Sequence, residues 1–232
     1  MIHIITQRDP FFVDEFLREF NKSDIGYTIY NLPNFNGGKF KGLLKARSLY
    51  GNLGLIKLIL LYLFKYWKTD LSNLEEQINL KDVEQLNEMF KSLDKTDIVL
   101  SLSAPVRIDI QHIPKSVTKL NFHCGKLPKY AGMMPIFWQL FAKEDEIVIT
   151  AHDLADEIDT GEIYAELSFK AQGSLFQISQ KAKRHTADLF VDLIKNPEKL
   201  KRIKVAERKN ISLTKFPTRQ EARKLRRERK LI

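Results

Sequence analysis

Apolar positions along the chain fall into short runs that alternate with helically spaced ones. Ile2, Ile4 and Ile5 make a β-rich opening run. Pro10 follows, where a helix can begin, and Phe11, Phe12, Phe16, Leu17 and Phe20 then recur at helical spacing. Residues 27–30 predict a second strand, ended by Asn31, Pro33 and the turn signal Asn36-Gly37-Gly38. Residues 40–68 read as helical, and 73–93 as a charged stretch with apolar residues at Val83, Leu86, Met89, Phe90 and Leu93. Ile98, Val99, Leu100 and Leu102 form an apolar strand of the kind a parallel sheet covers on both faces.

Strands are expected at 117–122, 147–152 and 163–169, and helices at 132–141 and 174–194. Strands alternating with helices predict an α/β fold with an open, mostly parallel sheet and right-handed crossovers. Ligands in such sheets gather at the carboxyl ends of the strands, so chemistry is sought there.

The 232 residues have ordinary globular composition, with 44% hydrophobic and 29% charged positions, which excludes a disordered or collagenous chain. The net charge of +9 invites a nucleic-acid reading until its location is examined. Residues 200–232 hold 13 Lys/Arg against 3 Asp/Glu, a net of +10, and residues 1–199 are left at −1. The chain is therefore expected to divide into a body, 1–199, and a basic extension, 200–232. Phe216 is the only aromatic residue of that extension, too few for base stacking, so a nucleic-acid partner is not expected. Arg219, Arg223, Arg226 and Arg227 would lie partly along one side of a helix, an arrangement suited to a diphosphate.

A single cysteine, Cys124, makes no internal disulfide, and no Cys/His cluster has structural-zinc spacing, so a reduced, metal-independent, cytoplasmic protein is expected. The start of the chain lacks the basic and apolar segments of a signal peptide. The apolar run 53–64 is broken by Lys57 and followed by Lys65 and Lys68, and it falls short of the about 20 residues of a membrane span. A helix buried against the sheet or a partner is the first reading, and one resting on a membrane surface the second. A homodimer is left open.

The chemistry sits in two segments. Residues alternate across a strand, so Asn121 and His123 emerge on one side and Phe122 on the other. Asn-x-His alone is a common chance pattern, and a lone histidine is more often structural. The second segment is the polar loop Asp153-Leu154-Ala155-Asp156-Glu157-Ile158-Asp159-Thr160-Gly161, between two expected strands. Its Asp159 can meet His123 if the strand ends are neighbours.

Taken together, Asn121-x-His123, then Leu127-Pro128-x-Tyr130-x-Gly132 with Pro135 and Trp138, then Ile158-Asp159-Thr160-Gly161, resemble the folate-dependent formyltransferase family over residues 97–169. That family includes glycinamide ribonucleotide, methionyl-tRNA and sugar N-formyltransferases. The resemblance implies a Rossmann-like fold, 10-formyltetrahydrofolate as formyl donor and an amine as acceptor. It implies catalytic roles for Asn121, His123 and Asp159. It also implies that the donor's pterin ring lies between two loops. One is Ser103-Ala104-Pro105-Val106-Arg107-Ile108; the other is Leu154, Ala155, Asp156, Glu157 and Ile158. Leu127, Pro128 and Gly132 are expected to shape the chain around the site, and His152 to support it.

The chemistry agrees with those roles. An amide can donate to a formyl oxygen that gains negative charge, and an imidazole of reference pKa about 6.5 exchanges protons near neutrality. A carboxylate orients the ring and favours its charged form. As for the acceptor, the 33 residues after 199 are too few for the second domain of methionyl-tRNA formyltransferases. Thr6-Gln7-Arg8-Asp9-Pro10 stands where glycinamide ribonucleotide enzymes carry a Gly-Ser-Asn turn. The chain is most similar to compact sugar N-formyltransferases, which implies a nucleotide-linked amino sugar for surface polysaccharide as acceptor; hydrolysis of the donor is the alternative reaction.

Overall fold

A computed structural model describes residues 1–33, 38–68, 77–200 and 211–229, with side chains from 41 to 65 in the second of these segments. The turn signal at 36–37, the beginning of the charged stretch at 73–76 and part of the basic segment, 201–210 and 230–232, lie outside them.

Among the described residues, seven strands form one mixed sheet: β1 (Ile2–Thr6), β2 (Tyr27–Asn31), β3 (Gln77–Asn79), β4 (Ile98–Ser101), β5 (Thr118–His123), β6 (Glu146–Asp153) and β7 (Ile163–Lys170). Their order is β3-β2-β1-β4-β5-β6-β7. The pairs from β3 to β5 are parallel, whereas β5/β6 and β6/β7 are antiparallel. The described helices are α1 (Val13–Phe20), α2 (Gly38–Lys68), α3 (Val83–Lys91), α4 (Pro135–Phe141), α5 (Leu175–Lys195) and α6 (Arg219–Glu228). This is the expected α/β, Rossmann-like architecture.

Period-two alternation sorts the strand residues onto two faces. Ile2, Ile4, Leu100, Leu120, Phe122, Ile149 and Ala151 point to one face, into a core shared with α1, α4, α5 and α6. Phe20 stacks on Phe190 with ring centroids 5.3 Å apart, which fixes α1 against α5. Ile5, Tyr30 and Val99 point to the other face, where Leu86 and Phe90 of α3 cover them. Burying each such side chain contributes about 1.5–3 kcal/mol, so these two clusters carry most of the apolar stabilisation.

Four features differ from expectation. β3 is a three-residue edge strand with no apolar run. The helix expected from 132 begins at Pro135, because Gly132 (φ 101°) and Met134 (φ 57°) adopt left-handed backbone. α2 is broken at Gly51, whose φ of 77° no helix permits. The helix after Pro10 starts at Val13, with Asp9 Oδ1 accepting from the N–H groups of Phe11 and Phe12 at 2.8 and 3.0 Å.

Beyond residue 199, the described part of the chain packs on the body. Ala222 and Leu225 of α6 are buried in the first core, and Arg226 donates to the carbonyls of Ser48 and Leu49 in α2.

Candidate functional site

Strand β5 presents Leu120 and Phe122 to the first core, which leaves Asn121 and His123 on the opposite face. The antiparallel register puts His152 beside Asn121 and Thr150 beside His123. Four polar side chains of two neighbouring strands thus share one patch of sheet.

Two loops close over that patch. The first, after β5, is held by Thr150 Oγ1 donating to the Gly125 carbonyl (2.8 Å) and by Gln139 Nε2 donating to the Cys124 carbonyl (2.9 Å). It contains a cis peptide bond between Leu127 and Pro128. It brings the Tyr130 carbonyl to 2.7 Å from His123 Nε2. The second loop, after β6, is drawn together at its base by the Asp153 N–H donating to the Glu162 carbonyl at 2.9 Å. A Cβ on Gly161 would stand 1.7 Å from the Asp153 carbonyl oxygen, so the base closes only with glycine. Asp159 takes a left-handed conformation (φ 58°), which aspartate tolerates better than most residues, and turns inward.

The carboxylate of Asp159 is where the two loops meet. Its Oδ2 accepts from the Gly132 N–H at 2.7 Å and lies 3.3 Å from His123 Nδ1; its Oδ1 lies 3.7 Å from His152 Nε2. All three side chains are buried. Both ring nitrogens of His123 therefore face acceptors, and only the doubly protonated ring satisfies both. Burial opposes that charge and holds the His123 pKa below its ordinary value, against the upward pull of Asp159 and the Tyr130 carbonyl; Lys183 pushes it further down. The ring is kept neutral near neutrality, next to a carboxylate that stabilises a proton once it arrives.

His152 has a defined tautomer. Its Nδ1 donates to the Asp153 carbonyl at 2.8 Å, so Nε2 accepts, and Asn121 Nδ2 donates to it at 3.0 Å. The Asn121 amide is oriented by this bond with its nitrogen toward His152.

Of the residues expected around a pterin ring, Ser103, Ala104, Pro105, Val106, Leu154 and Ala155 are half-buried, while Asp156, Glu157 and Ile158 are exposed. Ala104, Val106 and Leu154 pack against the same apolar cluster. The side chain of Ile108 belongs to that core and is 5% exposed, which leaves its backbone as the part able to meet a ligand. A separate cleft of about 420 Å3, lined by Lys143, Glu144, Lys170 and Arg229 among others, contains none of these residues.

Two contributors carry no sequence signal. Lys183 of α5 donates to Ser103 Oγ at 2.8 Å and sets a cation beside His123. Thr214 shares its single hydroxyl proton between the carbonyls of Ala131 (2.8 Å from Oγ1) and Met133 (2.9 Å), and its own carbonyl accepts from the Met133 N–H at 2.9 Å. It braces the loop that holds Gly132 against Asp159. Helical spacing assigns Lys183 only to a helix, and an isolated threonine assigns nothing.

The α/β sheet thus gathers an amide, an imidazole and a carboxylate on one face, in Asn121, His123 and Asp159. Residues 110–194, which include all three, match the formyl transferase family. The chain is 33% identical over 96 residues to the bifunctional polymyxin resistance protein ArnA of Wigglesworthia glossinidia brevipalpis, covering 40% of this chain and 14% of that protein. It is 31% identical over 99 residues to the methionyl-tRNA formyltransferase of Prochlorococcus marinus, covering 39% and 29%. The matched stretch thus spans less than a third of either relative. Among solved structures, the sugar 3N-formyltransferase WlaRD, crystallised with dTDP and 5-N-formyl-THF, superposes with a TM-score of 0.59 at 18% identity over 92% of this chain and 68% of that one. A 4-N formyltransferase from Francisella tularensis gives 0.57 at 16% identity over 92% and 75%. These two share the fold.

Proposed function

We propose that this protein is an N-formyltransferase that moves the formyl group of 10-formyltetrahydrofolate to the primary amine of a nucleotide-linked amino sugar. The observation that carries the reading is the approach of Asp159 to His123, 3.3 Å apart, on the same face of the sheet as Asn121. The donor supplies an activated formyl carbon. Asn121, oriented by His152, donates an amide N–H to the formyl oxygen as negative charge gathers there. His123, held neutral by burial, takes the proton that the attacking nitrogen must lose, and Asp159 stabilises the imidazolium so formed. The proton is then available to the departing folate nitrogen, which leaves the acceptor as a formamide and the donor as tetrahydrofolate.

The loops of residues 103–108 and 154–158 form the donor site, with backbone groups reading the flat heterocycle between Val106 and Leu154. Residues 1–199 make up the catalytic unit, and 200–232 add a basic extension that reaches back through Thr214 to brace it. The amino-sugar acceptor is supported by the fold neighbours: one was crystallised with dTDP and 5-N-formyl-THF, another from Helicobacter canadensis with folinic acid and dTDP-3-aminofucose.

Incubation with the donor and a panel of dTDP- and UDP-linked amino sugars, glycinamide ribonucleotide and methionyl-tRNA, read by mass spectrometry, tests this. A formylated amino sugar is expected. Formate without any formylated amine would make the protein a hydrolase instead.

A further inference from the structure

Helix α2 has a property that the catalytic reading does not use. Residues 41–65 are long and apolar enough to cross a membrane, yet only 11% of the most apolar 18-residue stretch is buried. Leu53, Ile56, Ile59, Leu60, Leu61 and Leu63 are 41–78% exposed. Residues 59, 60 and 61 step about 100° apart around the helix, so apolar surface faces outward over more than one stripe. A single packed helix covers one stripe and leaves the others wet.

The helix cannot cross a bilayer. It leaves β2, and the chain returns as β3 to pair in parallel with β2, Ile29 opposite Gln77 and Asn31 opposite Asn79. The apolar stretch of α2 is tied to the same body on both sides. At one end Leu49 is buried in the main core and Arg226 grips the Ser48 and Leu49 carbonyls. At the other, Lys65 donates to the Pro10 carbonyl and pairs with Asp14 and Glu15 at 3.6 and 3.7 Å.

Charge indicates what this surface meets. Residues 38–68 contain seven Lys/Arg and no Asp or Glu. Lys45 lies over the Phe216 ring at 5.6 Å, and Arg226 of α6 lies beside the break at Gly51, where the apolar stretch starts; Arg219, Arg223 and Arg227 of the same helix are exposed. Apolar residues flanked by cations are the composition of helices that lie in the headgroup region of a membrane.

We propose that α2, with the arginine-rich α6 at its base, docks this protein onto an anionic lipid bilayer as a monotopic surface, the apolar residues 53–63 entering the interface and the Lys/Arg groups meeting lipid phosphates. Flotation of the full chain with vesicles tests it, using phosphatidylcholine alone and phosphatidylcholine mixed with phosphatidylglycerol. The protein is expected to float with the mixed vesicles and to be released by salt. Leu60→Glu with Leu63→Glu should lower partitioning about a hundredfold at unchanged melting temperature. Arg223→Glu with Arg227→Glu should lower it about tenfold. Failure of the unsubstituted chain to float overturns the proposal. So does a dimer in size exclusion that Leu60→Glu/Leu63→Glu splits while vesicles recruit neither form, since a second copy would then be the occupant.

Discussion

Asn121 and His152 face each other across the antiparallel β5/β6 pair, and the amide nitrogen of the first donates to Nε2 of the second at 3.0 Å. Because His152 Nδ1 is committed to the Asp153 carbonyl, the imidazole can only accept from Asn121. His152→Phe removes the acceptor and frees the amide to rotate. Formyl transfer should then fall about tenfold in kcat with little change in KM, less than the about hundredfold expected of Asn121→Ala, which removes the donor itself. Steady-state kinetics of the two variants checks the order.

The acid limit of the reaction follows from burial. His123 and His3 both have pKa values lowered from 6.5, with burial the largest cause in each. The unfolded chain therefore binds more protons than the folded one as pH drops below about 6.5, so stability present above that value is lost as pH falls through the folded values. The melting temperature should decline below about pH 6.5, and His123→Gln should flatten the decline. The activity profile should place its acid limb below the ordinary histidine range, because the base stays neutral there.

The second loop depends on a glycine. At Gly161 an added Cβ would meet the Asp153 carbonyl oxygen at 1.7 Å, so Gly161→Ala must open the base of the loop that carries Asp159. A loss of about 1–3 kcal/mol in chemical denaturation is expected, together with loss of activity.

Thr214 tests whether the distant segment braces the site. Thr214→Val deletes the one side-chain hydrogen bond that the hydroxyl shares between the Ala131 and Met133 carbonyls, at a cost of about 1 kcal/mol. Amide exchange at Gly132, whose N–H is given to Asp159, should quicken in this variant while that of β1 and β4 is unchanged.

Much of this architecture was legible in the sequence, for local reasons. Six of the seven strands coincide with β-rich apolar runs, and strand alternation alone put Asn121 and His123 on one face. β3 escaped because three residues, Gln77, Ile78 and Asn79, at a sheet edge need no apolar run. The break at Gly51 and the late start of α4 are backbone choices at glycine and methionine that periodicity does not encode. The approach of Asp159 to His123 rested on motif resemblance, and Lys183 and Thr214 reach the site only through tertiary contacts.

The central claim is that the buried Asp159 carboxylate supports proton transfer by His123. Comparing Asp159→Ala with the unsubstituted protein, at matched melting temperature, in an assay that follows the labelled formyl group from 10-formyltetrahydrofolate to the amino sugar, tests it most directly. The claim predicts that the folded variant transfers no label; transfer at the unsubstituted rate would contradict it.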